Sequence, residues 1–121
     1  MSEIVVADDS STILGLIVLA LKREGFEPAT AIDGADALAK VREHRPKLLI
    51  VDAMMPNGNG YEVCQALADD PEHEKPYVIM LTAAGQESNR ERAMEVGVDE
   101  FITKPFSTTE LRNRVREILT P

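Results

Sequence analysis

The stretch VVADDSS, residues 5–11, joins a run of apolar residues directly to two adjacent acids. The run begins at Ile4, and short continuous apolar runs are typical of strands that are buried on both faces of a parallel sheet. Asp8 and Asp9 therefore stand where a buried strand is predicted to end. Neighbouring carboxylates at such a point repel each other, at a cost on the order of 4 kcal/mol for charges about 4 Å apart at an effective dielectric constant of about 20. The sequence thus predicts a positive group beside them.

Similar strands alternate with helical patterns along the whole chain. Apolar runs at residues 48–52 and 77–82 predict two more buried strands. A mixed segment, residues 27–32, predicts an edge strand, and residues 100–103 predict a short fifth strand. The intervals carry helical spacing and capping residues, in segments that start near residues 11, 35, 60, 85 and 107. This order predicts an α/β fold, a five-stranded parallel sheet with helices on both faces and right-handed crossovers.

Length and charge narrow the possible functions. The chain has 121 residues and a net charge of −8, so we expect one domain that does not itself bind nucleic acid. Its longest apolar stretch, residues 13–21, is too short to span a bilayer, and the N-terminus lacks a signal-peptide pattern. The single cysteine, Cys64, is interpreted as a structural thiol of a protein in the reducing cytoplasm.

Chemically active side chains lie at or just after the carboxyl ends of the predicted strands, where parallel sheets bind ligands. These residues are Asp8, Asp9, Asp52, Thr82 and Lys104. An oxygen-rich set of carboxylates suits a hard cation, and we predict Mg²⁺. A metal ion beside an ammonium and a hydroxyl indicates phosphoryl chemistry. Asp52 stands alone at the centre of the sheet and is the predicted acceptor, which would form an acyl phosphate.

These motifs together resemble the receiver domains of two-component response regulators, the family of the bacterial chemotaxis regulator. The resemblance covers the whole chain, residues 1–121, through VVADDSS, LLIVDAMMPNGNGYE, VIMLTA and VDEFITKPF. It implies the flavodoxin-like strand order 2-1-3-4-5. It also implies a signalling switch rather than an enzyme, which takes its phosphoryl group from a sensor histidine kinase or a histidine phosphotransfer protein.

The resemblance assigns the phosphorylation site residue by residue. Asp52 looks like the phosphoacceptor, and Asp8 and Asp9 match the acidic pair that holds the metal. Asp9 would be the direct ligand of the pair. Asp52 and the backbone carbonyl of Met54 would complete the protein's share of the Mg²⁺ coordination.

The resemblance also implies how phosphorylation is sensed. Lys104 would contact the phosphoryl oxygens, and the Lys104–Pro105 peptide bond is expected to be cis. Thr82 matches the switch hydroxyl, which would move towards the phosphoryl group. Phe101 stands at the position of the switch aromatic and would enter the vacated space, although a plain core aromatic is the other reading. The surface around the fourth helix, fifth strand and fifth helix would then change.

Partner surfaces are less clearly indicated by the sequence. The first helix is more apolar than one buried stripe requires, which indicates either deep packing or a docking surface for the phosphodonor. The surplus residues are Ile13, Leu16 and Leu19. Charged residues near the C-terminus indicate either a solvated face or a homodimer contact that forms on phosphorylation. They are Asp99, Glu100, Arg112, Arg114 and Arg116. The output would be a further domain or a downstream protein.

Two features depart from the family pattern. The loop after Asp52 reads PNGNG, residues 56–60, and is interpreted as more flexible and less acidic than usual. Met54 and Ala84 are non-polar beside the phosphorylation site and cannot orient a hydrolytic water. We therefore expect slow loss of the phosphoryl group.

Three alternative functions can be compared with the same residues. A receiver-fold interaction module that works without phosphorylation normally lacks one of the acids or the lysine, and all are present here. A magnesium-dependent phosphatase of the haloacid dehalogenase type needs a D-x-D pattern at the first strand end, which Asp8-Asp9-Ser10 does not supply. A flavodoxin needs a hydroxyl-rich phosphate loop there, and two carboxylates would repel the phosphate.

Overall fold

A computed structural model describes residues 2–72, 74–83 and 95–120 of the chain. Its five strands form one parallel sheet in the order β2-β1-β3-β4-β5, which confirms the predicted α/β fold and strand order. The strands are β1 (Ile4–Ala7), β2 (Ala29–Ala31), β3 (Leu48–Asp52), β4 (Tyr77–Ala83) and β5 (Glu100–Lys104). The edge strand β2 is three residues long, shorter than predicted, because its flanking residues do not join the ladder with β1.

Four helices lie within the described residues. They are α1 (Ser11–Arg23), α2 (Gly34–His44), α3 (Gly60–Ala68) and the C-terminal helix (Thr108–Leu119). Each begins with a polar N-cap side chain that accepts a hydrogen bond from a backbone N–H of its first turn, and these residues are Ser10, Asp33, Asn59 and Ser107. The helix predicted at residues 85–97 lies for the most part outside the described residues.

The core lies on both faces of the sheet, as the apolar strands predicted. Alternate residues of β3 serve opposite faces, because side chains along a strand alternate in direction. Leu49 and Val51 pack into a cluster with residues of α2 and α3, whereas Leu48 and Ile50 pack with α1 and the C-terminal helix. The sheet is therefore a rigid central layer, and its carboxyl edge can hold functional groups in fixed positions.

The surplus apolar residues of α1 fall into two groups. Ile13 is half-buried and packs against the core, so it belongs to the buried face of the helix. Leu16 and Leu19 are 48% and 51% exposed, which leaves an apolar surface on the outer side of α1. Every helix in the described part of the chain is too short or too polar to span a membrane.

The charged residues near the C-terminus pair within the chain. The Arg114 Nε lies 2.7 and 2.8 Å from the two Glu100 carboxylate oxygens, and its Nη2 donates to the Tyr77 hydroxyl at 3.0 Å. Arg116 approaches Glu24 at the end of α1, at 3.3 Å. These pairs fasten the C-terminal helix to β4, β5 and α1, and the homodimer contact stays a prediction.

Cys64 is a buried thiol of α3. Burial raises the pKa of the Cys64 thiol to about 12, so very little reactive thiolate exists at neutral pH. We expect the native protein to react only slowly with a chromogenic disulfide reagent at pH 8, and to release one equivalent of chromophore once urea unfolds it. A fast stoichiometric reaction of the native protein would contradict this burial.

Candidate functional site

The carboxyl ends of four strands supply the side chains of the site. Asp8 follows β1, Asp52 is the last residue of β3, and Lys104 is the last residue of β5. Strand register aligns these ends, because Asp52 pairs with Leu81 while the next residue of β4, Thr82, pairs with Thr103 of β5. Parallel pairing in this register brings the functional residues to one edge of the sheet, as the sequence predicted.

The three acids meet at this edge. One carboxylate oxygen from each of Asp8, Asp9 and Asp52 lies within 4.8 Å of the others. Asp8 is fully buried and Asp52 is 7% exposed, whereas Asp9 lies at the surface. The Asp8 Oδ1 accepts a hydrogen bond from the backbone N–H of Ser10 at 2.9 Å, which fixes its carboxylate at the start of α1.

Lys104 is a positive group between the acids. Its Nζ lies 3.1 Å from Asp8 Oδ2 and 3.1 Å from Asp52 Oδ2. Partial burial lowers the pKa of Lys104, but the hydrogen bonds to Asp52 and Asp8 outweigh burial, so its pKa is raised overall. The ammonium is therefore charged at neutral pH. One ammonium beside three carboxylates leaves a net negative charge at the site, which a divalent cation would neutralise.

This arrangement disfavours the ionised form of Asp52. Burial raises the pKa of the Asp52 carboxyl, the neighbouring Asp8 charge raises it further, and Lys104 offsets only part of both effects. The ionised carboxylate is thus held in an environment that disfavours its charge, and added positive charge stabilises it. Its Oδ1 also lies 3.4 Å from the backbone N–H of Met54, whose side chain is 58% exposed.

Thr82 and Phe101 differ in burial. Thr82 is 1% exposed, and its hydroxyl has no hydrogen-bond partner among the described residues, which is uncommon for a buried polar atom. Phe101 is half-buried against the core cluster on the α2 and α3 face of the sheet. Its position suits either a core aromatic or a ring that changes place, so its switch role stays a prediction. The Lys104–Pro105 peptide bond is cis.

The loop after Asp52, residues 53–59, makes contacts with the start of α2 that the sequence did not predict. The side-chain amide of Asn57 donates to Asp33 Oδ2 at 3.1 Å, and the backbone N–H of Gly34 donates to the carbonyl of Pro56 at 3.2 Å. Gly58 and Asn59 predict a flexible loop; hydrogen bonds join the loop to α2, and its flexibility stays a prediction. Ala84, predicted to lie beside the site, is outside the described residues.

Comparison with known proteins gives matches along nearly the whole chain. The family model described as the response regulator receiver domain matches residues 4–116. The phosphate regulon transcriptional regulatory protein PhoB of Rhizobium meliloti (strain 1021) is 41% identical over 119 residues, which cover 98% of this chain and 52% of that protein. The "Probable transcriptional regulator ycf27" of Pyropia yezoensis is 40% identical over 117 residues, 97% of this chain and 47% of that protein. The chain thus spans about half the length of these curated relatives.

Solved structures agree in fold. The chemotaxis protein CheY4 of Vibrio cholerae gives a TM-score of 0.88 at 28% identity, with 98% of this chain and 99% of that chain covered. The signal receiver domain of a signal transduction histidine kinase from Syntrophus aciditrophicus gives 0.87 at 31% identity, with 99% and 91% covered. The sequence match, the strand order and the acidic edge of the sheet all lead to one assignment. This chain belongs to the response regulator receiver domain family of two-component signalling.

Proposed function

We propose that this receiver domain is switched by phosphorylation of Asp52, with a phosphohistidine on a sensor histidine kinase or a histidine phosphotransfer protein as the donor. The observation that carries this proposal is the position of the Lys104 Nζ, 3.1 Å from both Asp52 and Asp8. An ammonium held there contacts the acceptor carboxylate before any phosphoryl group arrives. It is therefore already in place to neutralise the charge of the incoming group.

The donor set fits Mg²⁺. Among the described residues, the three carboxylates gathered within 4.8 Å form a donor set of oxygen atoms, the kind of site that hard cations prefer. Asp8, Asp9 and Asp52 would hold the ion together with the backbone carbonyl of Met54. Bound Mg²⁺ would supply positive charge that offsets the charge of the phosphoryl oxygens.

The residues of the chain perform the transfer itself. A carboxylate oxygen of Asp52 forms a bond to phosphorus while the phosphorus–nitrogen bond of the donor breaks and the imidazole nitrogen keeps the electron pair. Lys104 exchanges its hydrogen bond to Asp52 for one to a phosphoryl oxygen. The Thr82 hydroxyl, which is buried without a partner among the described residues, gains an acceptor in the same group.

Phosphorylation then acts on the surface of the domain. It adds a charge of about −1.5 to −2 and three acceptor oxygens, and it can shift the domain only through contacts that differ between the two states. Movement of Thr82 towards the phosphoryl group, followed by entry of Phe101, would supply that difference. The face formed by β5, the C-terminal helix and the helix predicted at residues 85–97 would change in shape. The domain therefore acts as a signalling switch, not as an enzyme with a substrate to turn over.

The proposal is tested by intact mass after incubation with acetyl phosphate, with and without Mg²⁺. We expect the wild-type chain to gain one phosphoryl group only when Mg²⁺ is present, and Asp52→Ala to gain none. Asp69→Ala, which removes an exposed acid at the end of α3, should behave like the wild type. Absence of a gain in a wild-type chain that binds Mg²⁺ would favour the interaction-module function instead.

Partners and output are proposed on similar grounds. The exposed Leu16 and Leu19 on α1 offer an apolar surface for the phosphodonor. PhoB and ycf27 are both named as transcriptional regulators, and this chain matches about half the length of each. With a net charge of −8, the chain would act on DNA only through a further domain or a downstream protein. That output would follow phosphorylation, either from the single domain or from a homodimer. A cytoplasmic location stays a prediction.

We expect the phosphorylated domain to lose its phosphoryl group slowly, at a rate close to that of a free acyl phosphate. The reason is the non-polar Met54 side chain, which is exposed beside Asp52 and cannot orient an attacking water. Intact mass followed over time after the donor is removed measures this rate. Met54→Asn should lose the group faster, and rapid decay of the wild type would show that another group orients the water.

A further inference from the structure

We infer that Asp33, Gly34 and Asn57 are positioning residues of the phosphorylation site, which hold the loop of residues 53–59 against the first turn of α2 and so keep the Met54 backbone beside Asp52. Together with Gly58 these residues are called the α2 latch below. The inference rests on the proposed function, because its consequence is the affinity of the Asp52 site for a divalent cation.

Backbone hydrogen bonds form the first part of the latch. The N–H of Gly34 donates to the carbonyl of Pro56 at 3.2 Å, and the N–H of Ala35 donates to the carbonyl of Asn57 at 3.1 Å. These are the first two N–H groups of α2, which have no acceptor within their own helix. The loop therefore supplies the acceptors that the helix needs, and the helix terminus in turn fixes the tip of the loop.

A side-chain bridge forms the second part. The Asp33 Oδ1 accepts a hydrogen bond from the backbone N–H of Asp36 at 2.7 Å, as the N-cap of α2. Its Oδ2 accepts a hydrogen bond from the side-chain amide of Asn57 at 3.1 Å. Both oxygens of one carboxylate are thus used, one by the helix and one by the loop. The latch spans 24 residues of sequence and couples two loops at the site's edge.

Close backbone contact forms the third part and explains the glycine at position 34. A Cβ atom at Gly34 would overlap the carbonyl oxygen of Gly58 and would lie 2.7 Å from its Cα. The partner residues bend the loop into this contact with left-handed backbone angles, φ 53° at Asn57 and φ 105° at Gly58. A side chain at position 34 must therefore push the loop away from α2.

The displacement would reach the site because the loop is short and closed at its base. The N–H of Gly60 donates to the carbonyl of Ala53 at 3.0 Å, and the N–H of Met54 lies 3.4 Å from Asp52 Oδ1. Met54 lies only three residues before Asn57, so a shift at residues 57 and 58 is passed along this short stretch of backbone to Met54. We conclude that the latch determines how well the Met54 carbonyl can serve as a cation ligand.

The test compares Mg²⁺ dissociation constants, measured by calorimetry on metal-free protein, for the wild type, Gly34→Ala and Asn57→Gly. Gly34→Ala is expected to weaken Mg²⁺ binding about tenfold, as loss of a group that supports metal ligands often does. Asn57→Gly keeps a residue that tolerates positive φ and removes only the side-chain bridge, so a smaller loss is expected. The matched control is Gly15→Ala, whose added Cβ would meet no atom within 4 Å and which should bind Mg²⁺ like the wild type.

Phosphorylation by acetyl phosphate separates this inference from the proposed function. If the latch only positions the loop, Gly34→Ala should approach the wild-type extent of phosphorylation once Mg²⁺ is saturating. A folded Gly34→Ala with the wild-type Mg²⁺ affinity overturns the inference; if that variant does not fold, an unchanged affinity in Asn57→Gly overturns it. A wild type that binds Mg²⁺ but gains no phosphoryl group would contradict the proposed function, while the affinities would still decide the role of the latch.

Discussion

Lys104→Ala is expected to slow phosphorylation of Asp52 by acetyl phosphate by about 100-fold or more, the usual effect of removing one preorganised donor from a charged transition state. The Lys104 Nζ lies 3.1 Å from both Asp52 and Asp8, so its loss leaves two buried carboxylates facing each other. Burial and the Asp8 charge already raise the pKa of Asp52. Without the ammonium, which offsets part of both effects, the pKa of Asp52 rises further.

The measurement is the initial rate of mass gain at saturating Mg²⁺. Lys75→Ala is the matched control, because Lys75 also forms an ion pair, with Asp99 at 2.8 Å, but at the opposite end of β4. It should keep the wild-type rate. Lys104→Arg retains the charge with a different shape, and we expect a rate between those of the wild type and the alanine variant. If Lys104→Ala is phosphorylated at the wild-type rate, Lys104 takes no part in the transfer step.

Most of the site could be predicted from the sequence because it lies on a regular sheet. Asp8, Asp52, Thr82 and Lys104 each stand at or near the carboxyl end of a strand, and parallel pairing brings such ends together in almost any right-handed α/β fold. The apolar runs therefore indicated both the fold and the edge that carries the chemistry. What they could not indicate was burial, such as the difference between the buried Asp8 and the exposed Asp9.

Contacts between loops were missed for a physical reason. The bond between Asn57 and Asp33 depends on how closely two irregular segments approach, and neither segment has a periodic pattern that would indicate it. The sequence does carry two signals. Asn-Gly permits a left-handed backbone, and Asp33-Gly34 is typical of a helix start at which the first helical residue has no side chain. Only the structure shows that these two features meet.

The partners of the C-terminal arginines were missed in a similar way. Which charge Arg114 meets depends on how the C-terminal helix is rotated over β5, and the sequence gives the charges but not that rotation. In the structure Arg114 meets Glu100 and Tyr77 within the same chain. A dimer that used Glu100 or Arg114 would have to exchange these bonds for new ones.

The second large effect concerns the metal. We expect Mg²⁺ to stabilise the wild-type domain against urea, by about 2.7 kcal/mol at a concentration of about 100 times its dissociation constant, and to give Asp9→Asn little or none of this gain. Asp9 lies at the surface, and its carboxylate oxygen lies within 4.8 Å of those of Asp8 and Asp52. Its substitution should therefore remove a ligand and change the stability of the metal-free protein by only about 0.5 kcal/mol.

Glu74→Gln is the matched control, because it removes one exposed negative charge from the residues that precede β4, at the edge of the sheet opposite the site. It should keep the full gain from Mg²⁺. Asp8→Asn provides a contrast, since Asp8 is fully buried and raises the pKa of Asp52. Neutralising Asp8 removes that repulsion and also a partner of Lys104, so the stability of the metal-free protein should change as well as the response to Mg²⁺. If Asp9→Asn gains as much from Mg²⁺ as the wild type, Asp9 is not a ligand of the cation.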